Sequence, residues 1–240
     1  MRYLISVSYN GSKYFGFQRL DKKKTVQGEL EKVLTKLNKT VVYVKGAGRT
    51  DRGVHAKDQG VHFDLSVDIP PERLVDAINS MVDDGIHVNS AKIVDDNFHA
   101  RFDVKQKQYT YIINMGKYNA IYDDFIYNYN RELNIKDMKK AIKYFKGGHS
   151  FEAFTSGERE SYNSIIYDVK IKRKKDYLYI TFVGKSFYRY MVRNMVGALM
   201  LVGQGKEKPE IIKDFLNKNE KVTNYTTVPA NGLYLENVEY

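Results

Sequence analysis

The sequence predicts an α+β fold made of two similar halves. Patterns typical of strands are interleaved with patterns typical of helices, and the same order of elements occurs twice along the chain. With 240 residues, the chain is long enough for one large domain or for two smaller ones that share a core. We place the halves at residues 1–104 and 105–240. No repeat is visible in the residues themselves, so the duplication is inferred from the order of the elements alone.

The first half is predicted to contain four strands and two helices. Tyr3, Ile5 and Val7 recur at every second position, which predicts a strand with one buried face. Apolar residues recur at helical spacing after Thr25, so a helix is expected to start near that residue. In chain order the elements are a strand at 3–9, a helix at 25–38, strands at 41–45 and 60–65, a helix opened by Pro70-Pro71, and a strand at 86–94.

The second half is predicted to repeat this order, with additional helices towards its end. A charged turn at 173–176 separates two strand patterns, and Pro209 precedes a short helix. The stretch 116–131, rich in Tyr and Asn, is the expected connector. In chain order the elements are a strand at 108–115, a helix at 136–145, strands at 165–172 and 177–183, a helix at about 187–203, a short helix, and a strand at 233–238.

The composition indicates a basic protein without thiol chemistry. Lys and Arg total 39 against 29 Asp and Glu, a formal net charge of +10, and the chain contains 20 Tyr and 12 Phe. Cations for phosphates and flat rings for unstacked bases favour an RNA-binding surface, although many basic proteins bind no nucleic acid. The absence of cysteine excludes disulfides, zinc–thiolate sites, iron–sulfur clusters and thiol nucleophiles. With no targeting or membrane-spanning pattern visible, we expect a cytoplasmic protein.

The most informative segment is the glycine-hinged loop at residues 45–56. It places one carboxylate, Asp51, between the guanidinium groups of Arg49 and Arg52. Both arginines are expected to hold Asp51 ionised, because a nearby opposite charge favours the charged form. An anionic carboxylate beside phosphate-binding arginines suggests chemistry on a nucleotide. The alternative is an ordinary tight turn in which Asp51 caps its own backbone and the arginines are solvated.

Several other chemistries are excluded by the residues present. Gly46-Ala47-Gly48 is not a dinucleotide fingerprint, since the third glycine would fall at Asp51. No P-loop occurs, and a nucleobase deaminase would need zinc-binding cysteines. The five histidines show no metal-ligand spacing. Of these, His62 and His99 are expected to be structural.

Four further segments combine aromatic, glycine and basic residues. Arg189 and Arg193 lie four residues apart in the predicted helix 187–203, so both should face the same way. Tyr109 and Tyr111 should share one face of their strand. Taken singly, each segment is better explained by local packing than by function. The segments are a loop at 9–18, the stretch 98–111, a loop at 148–154, and the stretch 187–197.

Taken together and in this order, the segments resemble those of the tRNA pseudouridine synthase A family. The similarity extends over essentially the whole chain, and its most specific part is Gly48-Arg49-Thr50-Asp51-Arg52-Gly53-Val54-His55-Ala56. Weaker matches are Phe98-His99-Ala100-Arg101-Phe102, the Tyr109-x-Tyr111 strand, Met191-Val192-Arg193-Asn194-x-Val196-Gly197, Gly232-Leu233-Tyr234-Leu235 and Tyr240.

The resemblance implies an isomerase that converts uridine to pseudouridine at positions 38, 39 or 40 of the tRNA anticodon stem-loop. By motif match, Asp51 is the essential carboxylate and nucleophile, and Tyr109 stacks on the target base. Arg49 matches an arginine implicated in displacing the nucleotide. Arg193 matches the arginine beside the catalytic aspartate, while Arg189 is expected to meet tRNA phosphate. Attack at C6, attack at C1′ and elimination through a glycal stay open. No cofactor or metal is implied.

The implied fold is two RRM-like halves whose sheets join into one curved mixed sheet, with helices on one side and a central active-site cleft. The family also implies tRNA as partner and a homodimer. Three residues depart from the family pattern: Arg52, which is often small in bacterial relatives, Phe17, which is often Trp, and Ile166, near which relatives carry arginine. A non-catalytic RNA-binding or chaperone module, or a synthase with another RNA target, are the alternatives.

Overall fold

The computed structural model describes residues 1–218 and 220–240, and its contacts divide the chain into two compact units. Unit 1 comprises Met1–Lys105 and Tyr234–Tyr240, and unit 2 comprises Gln106–Leu233. The predicted α+β class is confirmed, because both units combine sheet and helix. Tyr234–Tyr240, which the predicted division places in the second half, lies in unit 1.

Ten strands and five α-helices occur in the described residues. Most predicted elements are present within a few residues of the expected boundaries. The strands are β1 (Arg2–Tyr9), β2 (Lys45–Gly46), β3 (His55–Asp64), β4 (Ile86–Val94), β5 (Gln106–Asn114), β6 (Tyr127–Asn128), β7 (Gly147–Ser150), β8 (Asn163–Lys174), β9 (Tyr177–Gly184) and β10 (Leu233–Glu239). The helices are α1 (Val26–Asn38), α2 (Pro71–Asn79), α3 (Ile135–Ala141), α4 (Met191–Gly203) and α5 (Ile211–Asn217).

In unit 1, β1 lies between β3 and β4 and is antiparallel to both. β10 joins the other edge of β3 in parallel, with Tyr234 opposite His55. Tyr3, Ile5 and Val7 are fully buried, as the alternation of residues predicts. The helix α1 begins after Thr25, whose hydroxyl accepts a hydrogen bond from the Gly28 N–H.

The predicted strand 41–45 is wrong except at its last residue, because the backbone there bonds to side chains of α1. The Val42 N–H donates to Thr35 Oγ1 at 3.0 Å, and the Val44 N–H donates to Glu31 Oε1 at 3.1 Å. The Val44 carbonyl accepts from Gln27 Nε2 at 3.2 Å. The segment is therefore tied to a helix rather than to a neighbouring strand, and only Lys45–Gly46 pairs with β3.

In unit 2, β9 lies between β5 and β8, and all three strands are antiparallel. β7 pairs with β8, while the two-residue strand β6 runs parallel to the end of β5. Two helices pack against these strands, α3 against β8 and α4 against β5. Leu178, Ile180 and Phe182 of β9 are fully buried and occupy alternate positions, so they share one face of the strand.

Three details of unit 2 differ from the prediction. The helix expected at 187–203 begins at Met191, because Tyr190 has a left-handed backbone with φ of 63° and interrupts the α-helical geometry. The helix expected at 136–145 is an α-helix to Ala141, continued as a 3₁₀ helix over Ile142–Phe145. The strand β7 was not predicted, because its two glycines are typical of a loop.

No helix in residues 1–218 and 220–240 has both the length and the hydropathy needed to span a bilayer.

Candidate active site

The candidate residues divide between the two units. Arg49 and Asp51 lie in unit 1, on the loop that joins β2 to β3. Tyr109, on β5, lies in unit 2, as do Arg189 and Arg193 at the start of α4.

The Asp51 loop is fixed by backbone and side-chain hydrogen bonds. The Ala47 N–H donates to the Gly60 carbonyl at 2.8 Å, and Gln59 Nε2 donates to the Gly48 carbonyl at 2.9 Å. On the other side of the carboxylate, the Val54 N–H donates to the Asp51 carbonyl at 3.1 Å and closes a turn. The backbone on both sides of Asp51 is thus held in place before any ligand binds.

Thr50, the residue before Asp51, anchors the loop to β1. Its hydroxyl shares a 2.8 Å hydrogen bond with the Tyr9 hydroxyl, and both side chains are buried. Burial raises the pKa of Tyr9 to about 12, so its hydroxyl keeps its proton at neutral pH. The Thr50 carbonyl also accepts from the Phe17 N–H at 3.1 Å. The sequence motif gave no signal of Tyr9 as a partner, because the two residues are 41 positions apart.

Two glycines of the aromatic loop 9–18 allow that loop to lie directly against the Asp51 loop. Gly16 has a φ of +89°, and a Cβ built there would lie 2.9 Å from the Thr50 carbonyl oxygen. A Cβ on Gly11 would lie 2.0 Å from the Val54 carbonyl oxygen. The Gly11 N–H donates to His55 Nδ1 at 3.1 Å, so this histidine supports the loop as a hydrogen-bond acceptor.

The expected effect of Arg49 and Arg52 on the ionisation of Asp51 stays a prediction. Both arginine side chains are exposed, whereas Asp51 is half-buried. The Arg52 guanidinium lies over the ring of Phe15, with Cζ 4.4 Å from the ring centroid. The Arg52 charge is thus placed at an aromatic ring of the loop 9–18.

In unit 2, Tyr109 is held by its strand and by an aromatic neighbour. It lies opposite Phe182 in the β5–β9 ladder and is 7% exposed. The Phe187 ring meets it edge to face, with centroids 5.0 Å apart. Phe187 precedes α4, in the part of the chain that was expected to be helical. Its contact with Tyr109 is a feature of the site that periodicity did not reveal.

Arg193 lies in the first turn of α4 and is oriented by a backbone contact. Its Nε donates to the Val228 carbonyl at 2.9 Å. The neighbouring Tyr111 hydroxyl donates to the Pro229 carbonyl at 2.7 Å. Burial raises the pKa of Tyr111 well above its ordinary value, and the positive charge of Arg193 opposes that rise. Tyr111 therefore acts here as a neutral hydrogen-bond donor.

Arg189 and Arg193 meet at one aromatic ring rather than along one helix face. Arg189 precedes the helix, so the predicted i,i+4 relation within a helix is wrong. Their guanidinium carbons lie 5.0 Å and 4.8 Å from the centroid of the Tyr190 ring. Tyr190 itself has the left-handed backbone noted above. Two cations are thus gathered at the start of α4 by a residue that was not a candidate.

His62 and His99 are part of the structure around the segment 98–102. His62 Nδ1 accepts from the Ala100 N–H at 3.0 Å, and the two imidazole rings are 4.7 Å apart. Burial, with the nearby His99 and Arg2, lowers the pKa of His62 to about 4. His62 is thus a neutral acceptor at neutral pH, in agreement with a structural role.

The sequence is similar to those of known proteins of one family. A sequence profile described as tRNA pseudouridine synthase matches residues 5–103 and 141–240. The tRNA pseudouridine synthase A of Bacillus subtilis is 37% identical, over 100% of this chain and 99% of that protein. The protein of the same name from Pseudothermotoga lettingae is 40% identical, with the same coverage of both chains. A solved structure titled "Crystal Structure of a Cbf5-Nop10-Gar1 Complex" is similar over 82% of this chain and 45% of that chain, with 9% identity and a TM-score of 0.39.

The chain therefore belongs to the tRNA pseudouridine synthase family, whose members are isomerases. The profile covers the Asp51 loop in its first match and the start of α4 in its second. In the described part of the chain, no group of three or more His, Cys, Asp or Glu side chains is placed to hold a metal ion.

Proposed function

We propose that this chain converts uridine to pseudouridine at positions 38, 39 or 40 in the anticodon stem-loop of tRNA. The observation that carries the proposal is the Asp51 loop, whose sequence matches the family and whose backbone is tied down on both sides of the carboxylate. A rigid loop that presents one half-buried carboxylate suits a reaction that needs that group in a single position.

The reaction moves one bond within a single nucleotide. The N1–C1′ bond breaks, a C5–C1′ bond forms, N1 gains a proton and the C5 proton is released to water. In this proposal Asp51 is the essential carboxylate, either as nucleophile or as electrostatic partner of the sugar. Attack at C6, attack at C1′ and elimination through a glycal all use an ionised carboxylate, so the three routes stay open.

Tyr109 is proposed to stack on the flipped uracil. Its ring is already restrained by Phe187 and by the β5–β9 ladder, so binding a base costs little side-chain entropy. A ring face holds uracil in either orientation, which suits a base that turns before it is reattached.

The exposed arginines are proposed to contact the RNA. Arg49, on the Asp51 loop, is proposed to displace the target nucleotide, and Arg189 is proposed to bind a tRNA phosphate. Arg193, oriented by the Val228 carbonyl, is proposed to keep the catalytic carboxylate ionised. The formal charge of +10 supports a large polyanionic partner. The enzyme is also proposed to act in the cytoplasm as a homodimer, as the family resemblance of the sequence implies.

The test is tritium release from unmodified tRNA transcripts labelled at uracil C5. Wild type is expected to release tritium, and Asp51→Asn and Asp51→Ala are expected to release none. Both variants should bind tRNA within about tenfold of wild type, or about 1.4 kcal/mol. The matched control is Asp21→Asn, which changes an exposed carboxylate in the same unit and should leave the rate unchanged.

The outcomes separate three explanations. If wild type and Asp51 variants are equally inert on a full tRNA set but bind it, the chain is an RNA-binding module. If wild type releases tritium but sequencing maps pseudouridine outside positions 38–40, the enzyme has another target. If Asp51→Asn keeps the wild-type rate, the assignment of the essential carboxylate is wrong.

A further inference from the structure

Two cations lie against a single exposed aromatic ring next to the Asp51 loop. The Arg52 guanidinium carbon is 4.4 Å from the centroid of the Phe15 ring, and Lys23 Nζ is 4.8 Å from the same centroid. Phe15 is 38% exposed, and both basic residues are exposed as well. The group is therefore accessible to a ligand in solution.

The backbone holds Phe15 beside Arg52. The Phe15 N–H donates to the Lys24 carbonyl at 2.8 Å, and the Gly16 carbonyl accepts from the Val26 N–H at 3.2 Å. A Cβ on Gly16 would lie 3.2 Å from the Arg52 nitrogen, so the two backbones are in close contact. Main-chain contacts thus fix the backbone of Phe15 beside that of Arg52.

In residues 1–218 and 220–240, no acidic side chain forms an ion pair with Arg52 or Lys23. The neighbouring Lys24 shows the contrast, since its Nζ lies 2.6 Å from Asp83 Oδ2. Two like charges beside one ring repel each other, and a bound anion would relieve that repulsion.

We propose that Phe15, Lys23 and Arg52 form a binding site for a phosphodiester of the RNA strand next to the reacting uridine. The inference rests on the proposed function for the identity of the RNA. Arg52 directly follows Asp51, so their Cα atoms are about 3.8 Å apart. A phosphate on the Arg52 side chain therefore belongs to the nucleotides near the one that Asp51 acts on.

The three side chains have different roles in binding phosphate. Guanidinium presents a planar fork of donors to phosphate oxygens, and ammonium adds a compact point charge. The Phe15 ring attracts both cations and limits their rotamers, so less entropy is lost when phosphate binds. The site contacts the RNA backbone and no base. It therefore adds affinity and positions the strand without sequence specificity.

The first experiment measures the affinity of the full chain for a synthetic anticodon stem-loop at several salt concentrations. Arg52→Gln and Lys23→Gln are each expected to weaken binding about fivefold. Each should also reduce the slope of log affinity against log salt by about 0.7. Arg52→Lys should retain most of the slope. The matched control is Lys22→Gln, an exposed neighbour that does not contact the ring and should change neither quantity.

The second experiment uses stem-loops in which one phosphate at a time near the target uridine is replaced by a neutral methylphosphonate. One position should weaken binding to wild type about fivefold and leave binding to Arg52→Gln unchanged, since the contact is already lost. Phe15→Leu should weaken binding by less than either charge removal, because it removes the ring and keeps both cations.

The results separate this inference from the proposed function. If Arg52→Gln and Lys23→Gln keep the wild-type salt slope, the phosphate site is wrong. It is also wrong if every methylphosphonate position that weakens binding to wild type weakens binding to Arg52→Gln equally. Binding is measured without turnover, so the site can be tested on an inert protein. If wild type fails to release tritium but the slope changes as expected, the phosphate site is retained and the proposed function is not.

Discussion

The hydrogen bond between Tyr9 and Thr50 is expected to couple the stability of unit 1 to catalysis. Tyr9→Phe removes one hydroxyl, keeps the ring, and leaves the buried Thr50 hydroxyl without this partner. The bond is 2.8 Å long and lies between two buried side chains. Its removal should lower the free energy of unfolding by about 1 kcal/mol.

The same contact holds the residue before Asp51, so its loss should lower activity as well. If the loop is destabilised by about 1 kcal/mol, the equilibrium constant between its held and released conformations changes about fivefold, since 1.4 kcal/mol is a factor of ten. We therefore expect kcat for tritium release to fall by up to about fivefold, with little change in KM. Thr50→Val combined with Tyr9→Phe should show a coupling energy of about 1 kcal/mol in a double-mutant cycle.

The matched control is Tyr3→Phe, on the same strand. The Tyr3 hydroxyl donates to the Ile69 carbonyl at 2.9 Å and accepts from the Ile69 N–H at 3.1 Å, remote in sequence from the Asp51 loop. Urea unfolding should show a similar loss of stability for Tyr3→Phe, but tritium release should be unchanged at a temperature where both variants are folded. Equal activity losses in the two variants, or none in either, would refute the reasoning that Tyr9 acts through the loop.

Three further perturbations have defined outcomes. Gly16→Ala places a Cβ at a φ of +89°, 2.9 Å from the Thr50 carbonyl oxygen, and should cost about 1–3 kcal/mol in urea unfolding and reduce tritium release. Gly197→Ala places a Cβ 2.2 Å from the Thr226 carbonyl oxygen, and a thermal melt should show a similar destabilisation, due to overpacking. The pKa of His62 is lowered to about 4 in the folded chain, so the imidazole is protonated at a higher pH in the unfolded chain than in the folded one. The free energy of unfolding should therefore fall by about 2 kcal/mol from pH 7 to pH 5. His62→Asn should show a smaller fall in urea midpoints over the same range, and an equal fall would contradict the assignment.

Local patterns in the sequence determined most of the secondary structure. The helix α1 and its cap at Thr25 were predictable because a capping side chain and helical spacing are properties of adjacent residues. The alternation of residues in β1 predicted that strand for the same reason. The specific motif around Asp51, together with the order of the weaker motifs, was sufficient to predict the family.

The tertiary structure decided the features that depend on residues far apart in the chain. The segment Val41–Val44 has the composition of a strand, but its hydrogen bonds go to side chains of α1. Tyr190 interrupts a helical pattern through its backbone conformation, which residue type alone does not specify. In both cases the local preference was overridden by contacts or geometry that the pattern does not contain.

For the candidate site, the sequence determined which residues are present, and the structure decided what each of them touches. The spacing of Arg49, Asp51 and Arg52 predicted that the arginines hold Asp51 ionised, and this stays a prediction. The structure places the Arg52 guanidinium over the Phe15 ring, a contact that the motif did not indicate. The anchor of the loop, Tyr9, is 41 residues from Thr50. Such contacts arise only when the chain has folded, because side-chain direction and long-range packing are not properties of a local sequence window.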